Sequence, residues 1–162
     1  MLKECILIIS TLLGPANPPN TDPLFEERVD VCSMLWFEAF KQKVPVDVAL
    51  AVAWHESNLT NAGTNSSGCS GPMQIKIKYW CPNVKGIWSP VRADGKLSNC
   101  DLYSRGIFAL KYYLKKHKNL NDALCGYGWG RCTDKARKTY VKQTLKYKRK
   151  IKKILERVEN ED

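Results

Sequence analysis

The run from Val46 to Trp54 constrains this chain more than any other stretch. Apart from Asp47 in its first turn, every residue in it is apolar, so as a helix it has no polar face. A helix that is apolar all round is a buried helix, and the rest of the domain has to be built around it. Val44-Pro45 opens it, and His55-Glu56-Ser57-Asn58 ends it at a loop of small residues. A carboxyl group at the mouth of such a helix loses hydration, which disfavours its anion and raises its pKa. It can then hold a proton for donation near neutral pH. Glu56 is therefore the candidate catalytic residue, set against the plain alternative of a helix-end glutamate in water.

The flanking segments read as further helices. Asp22-Pro23 has the form of a helix start, and Phe25, Val29, Cys32, Trp36 and Phe40 recur at steps of four and three to make one apolar face ending near Lys43. Asn58 to Ser70 is rich in Asn, Ser, Thr and Gly and reads as loop; Pro72 to about Trp80 reads as a short helix. Residues 82–99, with Gly86, Pro90 and Gly95, form an irregular flap with room for a two-stranded ribbon. Asp101 caps a helix carrying Tyr103, Gly106, Ile107, Leu110, Tyr113 and Leu114 on one side. Asn121 to Cys125 reads as a short helix followed by a turn, Gly126-Tyr127-Gly128-Trp129-Gly130. From Thr133 a long helix turns Tyr140, Tyr147, Ile151, Ile154 and Val158 inward and its lysines outward. The expected fold class is mostly α: one domain of about six helices with a flap.

The N-terminus carries the pattern of an export signal. Lys3 precedes an uncharged apolar run, Cys5 to Leu13, and Gly14-Pro15-Ala16 offers small residues for cleavage. The run is shorter than the roughly 20 residues that span a bilayer; a retained short anchor is the other reading. The expected organisation is a signal peptide over 1–16, a proline-rich linker over 17–23, one domain over 24–158 and an acidic tail over 159–162. Of the seven cysteines, Cys5 falls in the presumed signal, leaving six, which in an exported chain suggests up to three disulfides among fifteen connectivities. Cys125 with Cys132, and Cys81 with Cys100, are the local pairs. Periplasmic or extracellular localisation follows from the same argument.

The net charge of +10 is concentrated in one segment: Lys135 to Arg157 holds eleven Lys/Arg and one acid, Glu156. Such a segment suits an anionic wall or membrane surface, or else is a solvated helix face. Nucleic acid is the weaker partner for an exported, disulfide-bearing chain. Two histidines, His55 and His117, and no Cys-x-x-Cys pair leave little basis for zinc. His55-Glu56 lacks the second histidine of a zinc-protease helix, since Leu59 stands there. No phosphate-binding glycine loop is present, so neither metal nor cofactor is expected.

Aromatic residues gather around the Glu56 loops: Trp54, Trp80, Trp88, Tyr127 and Trp129. Trp54 suits the core, whereas Trp129, between two glycines, suits the flat face of a sugar ring. Glu56-Ser57, the segment Gly68-x-x-Gly71-x-Met73-Gln74-Ile75 and the later Tyr127-x-x-Gly130 together resemble the soluble lytic transglycosylase domain, a family related in fold to goose-type lysozyme. The resemblance runs from about Leu24 to Leu155. It implies a lysozyme-like fold and cleavage of the β-1,4 bond between N-acetylmuramic acid and N-acetylglucosamine in peptidoglycan, with Glu56 as the single acid/base and a 1,6-anhydro product. It further implies sugar contacts at Gln74 and Met73, a groove tyrosine at Tyr127, a last-helix tyrosine at Tyr140, and substrate contacts at Ser57 and Asn65. Three positions depart from the family pattern: Asn65 replaces a loop serine, Gly128 an asparagine after the groove tyrosine, and Ala136 a glutamate before Tyr140. They leave open a lysozyme-like hydrolase, or a non-catalytic cationic wall-binding protein. A wider role in a secretion, conjugation or phage lysis apparatus is likewise left open.

Overall fold

A computed structural model describes residues 1–84 and 90–161. The chain is mostly helical, a small single domain with two short two-stranded sheets. Helices α1 (Leu2–Leu13), α2 (Phe25–Gln42) and α3 (Val46–Ser57) are followed by a hairpin, β1 (Cys69–Ser70) and β2 (Ile75–Lys76), and one helical turn, α4 (Ile77–Trp80). A second ribbon, β3 (Lys96–Leu97) with β4 (Cys100–Asp101), leads into α5 (Leu102–Lys116) and α6 (Leu120–Trp129). The chain ends in α7 (Asp134–Ala136), a π-helical turn (Arg137–Val141) and α8 (Lys142–Glu161), which run on as one helix.

The core forms around α3 as its composition requires. Leu50, Ala51, Val52 and Ala53 are fully buried, and α2 and α8 both pack against the helix. Trp54 is buried too, beneath the guanidinium of Arg28, so it serves the core. Asn58 ends α3 in the left-handed conformation, which asparagine tolerates better than most residues. Arg28, itself buried, donates to the Asn58 carbonyl and to Asp22 at 2.8 Å. Asp22 thus anchors the entrance of α2, which begins at Phe25, two residues later than the Asp-Pro signal suggests.

Three local expectations are corrected. On α2 the buried residues are Arg28, Val31, Cys32, Leu35, Glu38 and Ala39 as well as Val29, and Phe40 is 77% exposed. At about 100° per residue Phe40 lies at the edge of the buried arc, on the last turn. Pro72 to Trp80 is not one helix. Ser70 pairs with Ile75, so Gly71-Pro72-Met73-Gln74 is a hairpin tip, entered by Gly71 at φ +80° and left by Gln74 at φ 45°. The glycines at 126 and 128 do not form a turn. Helix α6 continues through them to Gly130, which ends it at φ 72°. A side chain at Gly128 would lie 2.6 Å from the ring of Tyr140, so this glycine permits close packing.

The ribbon expected in the flap is present as β3–β4, tied by Cys81–Cys100. Trp88 lies outside the described residues. Cys125–Cys132 also forms, but the third pair is Cys5–Cys32, and Cys69 is the free thiol. This corrects the assignment of Cys5 to a segment outside the disulfide set. The apolar run Cys5–Leu13 lies within α1, where Cys5, Ile8 and Ile9 are fully buried against neighbours that include α2 and α8. Three disulfides place the chain in an oxidising environment. Among the described residues, no helix is long and apolar enough to cross a membrane.

Candidate active site

Glu56 sits on the last turn of α3, where the buried helix meets the hairpin. Its carboxyl group lines a groove of about 460 Å³, whose other walls come from the 65–69 loop, β2, α4, α5 and the C-terminal half of α6. Loss of hydration pushes its pKa up to about 7, against a smaller opposing effect from the Tyr140 hydroxyl. That hydroxyl donates to Glu56 Oε1 at 2.6 Å. Burial holds the Tyr140 pKa well above its ordinary value, so the phenol remains a donor at neutral pH. The carboxyl is thus protonated for a large part of the time near neutrality, with one oxygen fixed from behind.

Among the described residues, no other carboxylate lines this groove. Asp101 is spent capping α5, accepting from the amides of Tyr103 and Ser104, and Asp94 is paired with Arg92 at 2.6 Å. A two-carboxylate glycosidase needs a partner roughly 5–9 Å from the acid. The groove instead supplies amides, aromatic rings and a thiol.

The hairpin tip is held from both sides. Ser57 Oγ donates to the Pro72 carbonyl at 2.8 Å, tying the tip to α3, and Tyr127 Oη donates to the Met73 carbonyl at 2.6 Å, tying it to α6. Gln74 turns its amide back to the Gly71 carbonyl at 2.9 Å and accepts from Asn65 Nδ2 at 3.1 Å. Asn65 in turn accepts from the backbone amides of Ser67 and Cys69, which shapes the loop.

Of the residues expected to meet substrate, Glu56, Asn65, Gln74, Tyr127 and Trp129 line the groove. Met73 does not: its side chain is buried and packs on Gly106, and only its carbonyl is used. Ser57 also stands behind the wall, as a tie. Tyr140 approaches Glu56 from the side of the last helix. The flap residues that are described contribute nothing to the groove; several line a separate hollow around Cys81 and Arg105.

Sequence reasoning missed Tyr79, Lys76, Tyr113 and Cys69, all in the lining. Tyr79 is 65% exposed with Lys76 above its ring, and Tyr113 meets Tyr127 edge-on at 5.9 Å. The signal for Tyr79 was present, since it lies one helical turn beyond β2. Cys69 was obscured by its assignment to a disulfide. Burial pushes the Cys69 thiol up, which keeps it protonated.

Comparison of the chain with protein-family models, curated proteins and solved structures returns no match.

The contact between Gly128 and Tyr140 gives a physical reason for the glycine at 128, because a side chain there collides with the ring that holds Glu56. Gly128→Ala should cost roughly 1–3 kcal/mol, the usual range for overpacking. Thermal melting checks this, and an unchanged midpoint would show that Tyr140 does not pack as described.

Proposed function

We propose that the protein cleaves the glycan strands of peptidoglycan in an exported, periplasmic or extracellular setting. The observation that carries this reading is the solitary Glu56, raised to about 7 and faced by aromatic and amide side chains across an open groove. A lone acid with a near-neutral pKa suits proton donation to a glycosidic oxygen followed by proton abstraction from the attacking hydroxyl. In the transglycosylase version that hydroxyl is the muramyl 6-hydroxyl. It bonds to the anomeric carbon as the leaving sugar departs with the donated proton on its 4-hydroxyl, and Glu56 takes up the proton that the 6-hydroxyl loses. The absence of a second groove carboxylate favours this version, because no base is placed to activate water on the opposite face of the sugar. Gln74, Asn65, Trp129 and Tyr79 are the side chains placed to meet sugar rings.

Mass spectrometry of muropeptides released from purified sacculi tests the reading. Products ending in 1,6-anhydro-muramic acid are expected. Reducing ends would replace it with a hydrolase, and no release of glycan fragments would overturn it.

A further inference from the structure

The cations of the last helix have an order that composition alone does not reveal. Three of the cations from the π-helical turn onward are paired: Arg137 with Asp122 at 2.7 Å, Lys148 with Asp47 at 3.0 Å and Lys152 with Glu156 at 3.6 Å. Six on α8 form no salt bridge among the described residues and are exposed: Lys142, Lys146, Arg149, Lys150, Lys153 and Arg157. At about 100° per residue these six fall within an arc of roughly 100°, and at 1.5 Å per residue they extend over about 22 Å. Glu156 and Glu159 fall outside that arc by the same arithmetic. The six therefore form a cationic ridge whose successive rungs, Lys142, Lys146, the adjacent Arg149 and Lys150, Lys153 and Arg157, lie about one helical turn apart.

The ridge begins beside the site. Lys142 lines a second hollow of about 610 Å³ with Lys138, His55, Tyr140 and Trp129, and Trp129 is shared with the groove of Glu56. We infer that the ridge docks a linear phosphodiester polymer of the cell wall, a polyol phosphate, alongside the glycan. A row of cationic rungs, each about one helical turn from the next, matches a linear chain of repeating anions. A membrane surface fits less well. A helix lying on lipid buries an apolar face in it, whereas the apolar face of α8, with Ile151, Ile154 and Val158, is turned into the protein, where the helix packs on α1 and α3. The choice of a wall polymer over nucleic acid rests on the glycan reading and on the disulfides; the ridge itself does not.

The test measures binding of the full chain to poly(glycerol phosphate), with phosphatidylglycerol vesicles and duplex DNA as comparators. Affinity for the polymer should fall by about three-hundredfold to a thousandfold between roughly 50 and 200 mM salt, as counterion release from about six contacts requires. The variant Lys146→Glu/Arg149→Glu/Lys150→Glu/Lys153→Glu should lose at least tenfold. The same four positions changed to Gln, with melting followed in parallel, should also weaken binding in a folded chain. Lys115→Glu/Lys116→Glu/Lys118→Glu, on exposed residues of α5 and the loop after it, should change binding less than twofold. Equal losses in the two charge-reversal sets would overturn the inference, as would tighter binding to vesicles or DNA through the same four residues. Glu56→Gln should bind the polymer normally. A chain that binds but does not cleave overturns the glycan reading alone, and one that cleaves without binding overturns this one alone.

Discussion

Glu56→Gln is expected to abolish glycan cleavage and at the same time to make the protein harder to melt above neutral pH. Loss of a general acid/base removes about 10²–10⁴ in rate, and with no second carboxylate in the groove nothing takes over. The stability effect follows from linkage. Glu56 has a folded pKa of about 7 against an ordinary 4.5, so the folded state holds its proton more tightly than the unfolded chain does. As pH rises from about 4.5 to 7 the unfolded chain releases that proton first, and the parent loses stability across this window. The full difference is on the order of 3 kcal/mol. Glutamine keeps the shape and carries no charge, so the variant escapes the loss. The two proteins should melt together near pH 4 and separate by several degrees at pH 8, the variant higher. A gap that does not change with pH would show that Glu56 titrates as an ordinary surface carboxylate.

The second large effect concerns the N-terminal helix. Cys5 and Cys32 close a loop of 27 residues, and a cross-link of that span contributes about 3–4 kcal/mol by chain entropy. Removing residues 1–16 takes away the bridge and also uncovers the faces of α2 and α8 on which Ile8 and Ile9 are buried. The shortened chain should be less stable by at least that amount in urea and should bind an apolar dye. Titration of thiols in the unfolded, unreduced protein gives a second readout. One thiol, Cys69, is expected in the full chain and two in the shortened one. Equal stability of the two chains would show that α1 does not belong to the packed domain.

The parts of this molecule that were legible in the sequence are those where one residue pattern admits one solution. Val46–Trp54 could only be central, and of the two readings open for the carboxyl group at its end the structure has the desolvated one. Asp101 and Thr133 announced their helices because a short polar side chain before an apolar series has a backbone amide to receive, and both caps are made. The failures share a cause: the deciding partner was distant in sequence. Gly126 and Gly128 look like turn residues until Tyr113, His117 and Tyr140 are placed against them. Pro72 looks like a helix start until Ser57 and Tyr127 claim the carbonyls on either side of the tip. Met73 looks like a groove residue because its neighbour Gln74 is one, but the left-handed backbone at Gln74 sends the two side chains to opposite sides. The cysteines failed for a simpler reason, since parity allows any one of seven to be left over.

The π-helical turn at Arg137–Val141 lies between α7 and α8 and holds the tyrosine that meets Glu56 just ahead of the cationic ridge. A π turn holds more residues than an α turn of the same rise, so everything after it is rotated relative to everything before it. Tyr140 lies within that turn and points at Glu56, while the exposed cations follow it on α8. The phase between the tyrosine and the ridge is therefore set by a local excess of chain and not by the helix as a whole. A shortened turn could leave the helix, its core residues and its charge intact and still uncouple the groove from the surface beside it.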